Sequence, residues 1–463
     1  MGENMYKIRK FKMEHEFLGT IDLDFVKDDG SAYDTILLVG ENGSGKTSVL
    51  NALTAISKIY FEDNSSINEK ILCFETEIEF HNKYKIVFSV IPSFYSDKQN
   101  PYYASNIEIK QFKIEEKWVE PTPDDDFITD YYLNGENEKS QKLQFVDVCL
   151  ETNIDYKKSD INQYIIDIYY KDSYDISEYV RSNPNNNVPK KLIDSRTTRF
   201  KKAFNFMFDG KIEFQGVFNN EVLFQKNDTQ FDASTLSSGE KQIVYRATSL
   251  LKDENATNGI PVLFEEPEIS MHPKWQEKIY DFIKDLFSDK NCQKSQIFIT
   301  THSDYILKRA MEDENALIIK LEIDSGGKLK SNPIKKSKND LILPTLTIGE
   351  LKWHIFDIPS IDFHCALYGY IQNNLVIKAD GSLISIPDKN KSATVKETDA
   401  FLVNNGNAKK ISSYKNFDYN GITTFIRNKI HHPTHVEKIQ FSNQDLNNSI
   451  KFMVDLIESY KNN

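Results

Sequence analysis

Gly40-Glu41-Asn42-Gly43-Ser44-Gly45-Lys46-Thr47 decides how this chain is read. The stretch satisfies the pattern GxxxxGK[ST] at every fixed position. Before it, Thr35-Ile36-Leu37-Leu38-Val39 is a short apolar run, which predicts a buried strand. After it, Ser48 to Ile56 carries apolar residues at helical spacing. Strand, glycine loop and helix start make a nest of backbone N–H groups with the helix dipole behind it, and triphosphate oxygens fit that nest. The candidate nucleotide-binding residues are therefore Asn42, Gly43, Ser44, Gly45, Lys46, Thr47 and Ser48. Lys46 is placed to reach the β- and γ-phosphates and Thr47 to hold Mg²⁺. The glycines let the backbone approach the phosphates without a Cβ in the way. A glycine-rich turn before a helix is the bland alternative, and the full pattern in this context argues against it.

Working outward, the 463 residues fit roughly three domain-sized units, or two larger ones. The hydrophobic fraction of 39% is enough for a packed core. A net charge of −12 argues against a generally DNA-coating surface, though it leaves room for a local nucleic-acid groove. Cys73, Cys149, Cys292 and Cys365 are scattered without a CxxC pair, which disfavours a disulfide framework and a zinc site. No apolar run reaches transmembrane length. Met1 to Phe11 lacks a signal-peptide core, and Tyr6 stands where N-myristoylation of Gly2 wants Ser or Thr. The expectation is a cytoplasmic protein with no membrane partner.

Along the chain, Tyr6–Phe11 and Thr20–Phe25 read as strands. Phe74–Phe80 alternates apolar and acidic residues and reads as a strand with one wet face, followed by Tyr84–Val90. These predict an antiparallel patch beside the nucleotide site. Residues 91–200 are the least readable, with short helices expected at Ile161–Tyr170 and Asp175–Val180 and an Asn/Pro loop at Ser182–Val188. The basic cluster Lys190, Lys191, Arg196, Arg199, Lys201 and Lys202 reads first as a solvated face, second as a contact for nucleic acid or an acidic partner. Short strands are expected at Phe204–Phe208, Lys211–Phe214 and Glu221–Phe224. Buried strands follow at Ile260–Phe264 and Gln296–Ile299, with helices at Pro273–Phe287 and Asp304–Met311 and a strand near Ala316–Ile323. The lysine-rich Lys328–Lys338 reads as a linker. Beyond it the chain looks helical, ending in a helix from Leu446 to Tyr460 behind a capping box at Ser442–Asp445.

The later motifs narrow the class of NTPase. Ile260–Phe264 ends in Glu265-Glu266-Pro267-Glu268, which puts carboxylates beside the phosphates, where one binds Mg²⁺ and a neighbour orients or deprotonates water. Leu236-Ser237-Ser238-Gly239-Glu240-Lys241-Gln242 resembles the signature sequence of ABC-type ATPases, and Ile299-Thr300-Thr301-His302-Ser303 resembles their histidine switch. Four motifs in this order resemble the ABC-type ATPase head shared by Rad50-like, SMC-like and OLD-like proteins, over roughly residues 5–325 apart from 91–200. The fold class implied is α/β: an ABC-type head (1–330, with an insertion at about 91–200) with a phosphate-loop sheet and an antiparallel patch, plus a helical C-terminal effector or partner-binding domain (340–463).

The resemblance implies Glu265 as the metal carboxylate with Thr47, Glu266 as catalytic base, and His302 as a γ-phosphate contact. It makes Glu268-Ile269-Ser270-Met271-His272-Pro273 the D-loop. Ser237, Ser238, Gly239 and Glu240 then act on the ATP of a second subunit in a head-to-head dimer that can build into larger assemblies. The usual metal carboxylate is Asp, so Glu265 is expected to weaken metal binding or slow turnover. The usual Q-loop glutamine has no assigned position.

The absence of long heptad arms and of a CxxC hook points to the short ATPases of bacterial anti-phage systems. Thr347-Ile348-Gly349-Glu350, Asp362-Phe363-His364 and Ile426-Arg427-Asn428-Lys429-Ile430-His431-His432-Pro433 look like that group. The PtuA ATPases of Septu and related retron systems, and secondly those of PARIS systems, imply an oligomeric ATPase that senses infection and controls a partner nuclease. A second function class stays open: Arg427 and His432 fit the Arg-x4-His pattern of HEPN ribonucleases, which cleave RNA without metal. A polar contact between neighbouring helices explains the pair equally well. Zinc binding by His431, His432 and His435 is disfavoured by the lack of a nearby carboxylate or cysteine at ligand spacing.

Overall fold

The computed structural model describes residues 6–58, 71–80, 84–94, 103–114, 117–119, 146–148, 161–189, 192, 196–252, 259, 261–269, 271–289, 292–293, 295–334, 341–376, 393–407, 409–414, 417–432 and 440–461. Lys190, Lys191, Ser270, Pro433 and His435 lie outside the described residues. The chain divides into two compact units, Met1–Ile334 and Lys335–Asn463.

The first unit is built on the apolar runs. β3 (Thr35–Val39) is buried at every position, as is β15 (Ile297–Thr300), and β12 (Val262–Glu265) is buried up to its last residue. Continuous apolar runs of this kind suit strands covered on both faces of a parallel sheet. They pair in the order β12, β15, β3, then β16 (Ala316–Ile323), all parallel. β8 (Val146–Val148) adds a parallel edge beside β12. β17 (Leu329–Ile334) pairs antiparallel to β16, so the first half of the expected linker Lys328–Lys338 is an edge strand. Its one lysine, Lys330, is exposed, and Leu329 is buried. Helix α1 (Lys46–Lys58) lays Val49, Ala52 and Leu53 against this sheet.

A second sheet is antiparallel, as expected, in the order β2 (Gly19–Asp24), β1 (Tyr6–His15), β4 (Ile71–Phe80), β5 (Tyr84–Phe94), β6 (Tyr103–Ile114), β7 (Lys117–Val119). The expected wet face of β4 is corrected: Glu77 and Glu79 are buried. Arg9, on the neighbouring strand, donates Nε to Glu77 Oε1 (2.5 Å) and Nη1 to Glu79 Oε2 (2.7 Å) and Gly30 O (2.7 Å). The side chain of Gln296, at the root of β15, joins the two sheets. It accepts from Ile8 N (2.8 Å) and donates to Ile8 O (2.9 Å) and Tyr33 O (3.0 Å).

Two further expectations change. The two short helices are one, α2 (Ile161–Ser182), in which buried Asp172 receives Arg196 Nη1 (3.0 Å) and Thr197 N (2.8 Å). Arg196 of the basic cluster thus points into ion pairs with Asp172 and Asp175 rather than into solvent. Phe204–Phe208 is not a strand: α3 (Arg196–Met207) stacks Phe200, Phe204 and Phe208 along one side, where residues four apart meet. That aromatic stripe packs on a three-stranded meander of β9 (Glu213–Phe218), β10 (Glu221–Lys226) and β11 (Thr229–Asp232). Its turns, Asn219-Asn220 and Asn227-Asp228, have positive φ throughout, the conformation two-residue hairpins require.

From the meander the chain enters α4 (Ser238–Lys252), then β12 and α5 (Pro273–Leu286). A small hairpin of β13 (Ser288–Asp289) and β14 (Cys292–Gln293) precedes β15, and α6 (Asp304–Glu312) follows it.

The second unit packs α7 (Ile348–Phe356), α8 (Ile361–Asn374), α9 (Val395–Asn404), α10 (Ile422–His431) and α11 (Asn443–Lys461) around Phe363, Leu367, Ile371, Leu402, Ile426 and Ile450. It also holds a hairpin, β18 (Lys409–Tyr414) with β19 (Phe417–Gly421), which the helical expectation missed. The capping box before α11 is present: Ser442 N donates to Asp445 Oδ2 (2.9 Å) and Asp445 N to Ser442 Oγ (3.1 Å). Inside the core a polar chain runs from His364 Nε2 to Ser449 Oγ (3.0 Å), then Thr423 Oγ1 (2.8 Å), then Asn407 Nδ2 (2.7 Å).

Replacing Arg9 with Met removes the guanidinium from two buried carboxylates and is expected to cost about 3–5 kcal/mol by chemical denaturation, whereas a loss under about 1 kcal/mol would discard this account of the sheet junction. His364 gives a pH-dependent term. Burial, with His431 nearby, pushes it down to about 3. In the unfolded chain a histidine titrates near about 6.5. Below that pH the unfolded chain takes up a proton that the folded chain refuses, so this contribution is lost as pH falls from about 6.5 toward about 3 and is level above. The slope is at most about 1.4 kcal/mol per pH unit. His364→Asn is expected to flatten it, measured as denaturation midpoints between about pH 5 and about pH 7, and an unchanged slope would sink the idea.

Candidate functional site

The site lies where β3, β15 and β12 end. Their register aligns Leu38 with Thr300 and Thr300 with Glu265, so the loops leaving these strands emerge side by side. Ligands of open α/β sheets bind at such carboxyl ends.

The loop after β3 needs its glycines for space as well as for turning. Gly40 has φ +153°, and a Cβ there would lie 2.3 Å from Leu321 O on β16. Gly45 has φ +89°, and a Cβ there would meet Leu329 Cδ1 at 2.4 Å. Lys46 is buried, and its Nζ donates to Gly40 O and Glu41 O, both at 2.9 Å. Burial lowers its pKa, against the opposing pull of Glu266, Glu265 and Glu268. Ser44 Oγ is buried in the loop with no hydrogen-bond partner among the described residues. A donor lining the loop interior and a charged amine already inside it fit a polyphosphate.

Thr47 and Ser48 open α1, with Thr47 exposed, and Asn42 and Gly43 form the exposed tip of the loop. Thr47 Oγ1 donates to Glu265 Oε1. A hydroxyl and a carboxylate held together are an oxygen donor set suited to a hard cation such as Mg²⁺.

The next residue turns sharply. Glu266 is at φ +43°, unusual for a residue with a side chain, and its N–H donates to Thr300 O (2.9 Å) on the adjacent strand. This aims its carboxylate at the loop after β15, where His302 Nε2 lies 3.3 Å from Glu266 Oε1. The structure therefore brings Lys46, Thr47, Glu265, Glu266 and His302 together. It adds a residue whose role sequence reasoning missed: Glu268 is buried and receives three donors from Thr301, His302 and Ser303. An acid two places after a candidate base, inside a turn, was its only signal.

The signature residues sit elsewhere, at the start of α4. Ser237 N donates to Glu240 Oε2 (2.6 Å) and Glu240 N to Ser237 Oγ (3.4 Å), a reciprocal cap. Ser237 and Ser238 are exposed. Gly239 lies over the indole of Trp275 on α5, and a Cβ there would be 2.8 Å from it.

In the second unit, Arg427 is on α10 with its guanidinium 5.9 Å from the Tyr368 ring centre, and its Nη1 donates to Asn428 Oδ1 (2.9 Å). The helix ends at His431, and His432 is its cap at φ −136°. The histidine one helical turn from Arg427 is His431, not His432. His431 has its pKa lowered by burial, with the Arg427 charge adding to the effect.

Among the described residues, no helix is long and apolar enough to cross a membrane. The “Retron Vc95 probable ATPase” of Vibrio cholerae serotype O1 biovar El Tor is 28% identical over 129 residues, 25% of this chain and 24% of that protein. The likeness thus spans about a quarter of that relative's length. Among solved structures the chain is similar to “Crystal structure of the SmcHead bound to the C-winged helix domain of ScpA”, with TM-score 0.42, 16% identity and coverage of 72% of this chain and 98% of that one. It is likewise similar to “SMC head domain from Thermotoga maritima”, with TM-score 0.39, 14% identity and coverage of 71% and 99%. The model of the family described as “AAA domain, putative AbiEii toxin, Type IV TA system” matches residues 36–308. That match runs from β3 into α6 and takes in the phosphate loop, both strand-end acids and His302, so the chain belongs to this AAA-domain family.

Proposed function

We propose that this chain is an ATPase that works as a pair of heads sharing two composite ATP sites, extendable to larger assemblies, and that its nucleotide state controls a partner nuclease in anti-phage defence. The observation that carries this is the separation of two half-sites. One strand-end cluster brings together Lys46, Thr47, Glu265, Glu266 and His302, with Thr47 bonded to Glu265 and His302 beside Glu266. The signature serines stand exposed on their own helix start, with Gly239 seated on Trp275. Exposed hydroxyls and N–H groups at a helix start suit the phosphates of a nucleotide held by another copy. The retron ATPase likeness supports the defence setting, with the PtuA-like group as the finer reading.

In this reading Lys46 exchanges the carbonyls of Gly40 and Glu41 for phosphate oxygens. Thr47 and Glu265 hold Mg²⁺, which when bound supplies positive charge to the phosphates. Glu266 takes the proton of the attacking water on a carboxylate oxygen, and His302 fixes that carboxylate and touches the γ-phosphate. Arg427, engaged by Tyr368 and Asn428, serves the fold of the second unit or its partner contact.

Mixing Lys46→Ala and Ser238→Arg subunits, each inactive alone, is expected to restore about a quarter of wild-type ATP hydrolysis, because half the dimers carry one intact site of two. Mixtures that stay dead while heterodimers form remove the shared site. The ribonuclease reading has a separate test. Purified protein is expected not to cleave RNA under any nucleotide condition. Metal-independent cleavage that vanishes in His432→Ala with ATP hydrolysis intact would make the chain itself the nuclease.

A further inference from the structure

We infer that Glu268 is a positioning residue for ATP hydrolysis, a clamp that sets His302 against Glu266. One oxygen, Glu268 Oε1, receives Thr301 Oγ1 (2.7 Å), His302 N (2.8 Å) and Ser303 N (3.1 Å). Three successive residues are thereby pinned at a single point, with His302 in the middle. The other oxygen, Oε2, is buried without a protein partner among the described residues. A buried carboxylate left half unpaired is costly, and such an arrangement is kept where its geometry is needed.

The clamp and the base hang from one turn. Ile269 N donates to Glu266 O (3.1 Å) and Met271 N to Glu268 O (3.0 Å), so the chain cannot move Glu266 without moving Glu268. A second strut closes the frame. Ser303 Oγ donates to Gln276 Oε1 (2.9 Å), and Gln276 Nε2 returns to Met271 O (3.2 Å). The backbone that carries His302 is therefore held by the same turn that presents Glu266 to its imidazole. Among the described residues Glu268 makes no hydrogen bond to the phosphate loop, and its charge is the weakest of the three acids acting on Lys46, so its main effect falls on turnover. A misplacement of the reacting groups by even a fraction of an ångström is felt in the rate rather than in affinity.

This inference rests on the reading of Glu266 as base and His302 as its partner. The test is steady-state ATP hydrolysis by the full-length protein, with nucleotide binding by a fluorescent ATP analogue and thermal melting in parallel. Glu268→Ala is expected to lower kcat about tenfold or more while KM and analogue affinity stay within about twofold. Glu268→Gln is expected to regain most of kcat, because its amide oxygen accepts the same three bonds. A Glu268→Ala protein with wild-type kcat, a matched fall in binding and turnover, or Glu268→Gln no better than Glu268→Ala each overturns the inference. Should Glu268→Ala fail to fold, Thr301→Val removes one donor to Glu268, together with the acceptor that Ser303 N shares with Glu268, at nearly constant volume. It is expected to lower kcat about threefold at unchanged KM, and an unchanged kcat overturns the clamp. Glu266→Gln serves as the control: wild-type hydrolysis there defeats the base reading and this inference with it. A dead Glu266→Gln beside an additive-free, fully active Glu268→Ala defeats the clamp alone.

Discussion

Register among three parallel strands is the constraint on which the site depends. Thr300 is paired on one side with Leu38 and on the other with Glu265; Thr300 and Glu265 end their strands, and Leu38 is one residue short of the end of β3. A slip of one residue in any pairing would turn every side chain of that strand to the opposite face. It would also move a functional loop by a full residue relative to the other two. The apolar residues of β3, β12 and β15 are thus more than core: by fixing the register they place a lysine, a hydroxyl, two carboxylates and an imidazole within reach of one another.

Electrostatics at those strand ends are arranged around a buried cation. Lys46 loses hydration in the loop, and the three acids of the β12 end act against that loss. The acids have separate structural duties. Glu265 meets Thr47, Glu266 meets His302, and Glu268 turns inward to the backbone of the histidine loop. Consecutive carboxylates can be separated so sharply because Glu266 takes a left-handed backbone conformation.

The phosphate loop, the apolar strands and the acidic strand end were legible because each depends on local sequence. What was not legible depends on partners distant in sequence. Glu77 and Glu79 read as solvent-facing, and only the pairing of β1 with β4 brings Arg9 between them. Arg196 read as part of a basic surface until α2 supplied Asp172 and Asp175. Phe204–Phe208 looked like a strand because its aromatics were counted by type; their four-residue spacing with Phe200 was the better signal. Lys330 and its neighbours masked β17, whose strand character comes from pairing with β16 at the sheet edge. At the site itself, Glu268 was hidden because two of its three donors are backbone N–H groups, which sequence does not distinguish.

The amide of Gln296 has a mechanical consequence. It stands in for a strand residue, bonding both the N–H and the C=O of Ile8 at a place where the pairing of β1 skips a step. It also sits at the root of β15, the end opposite Thr300 and the nucleotide loops. It is not the one tie: Leu329 N donates to Leu18 O (3.0 Å) and Ser331 Oγ to Asp22 O (2.8 Å), which fasten the β1–β2 side to β17 as well. Riveted at more than one place, the two sheets form a single frame, and the loops at the strand ends ride on that frame rather than on either sheet alone.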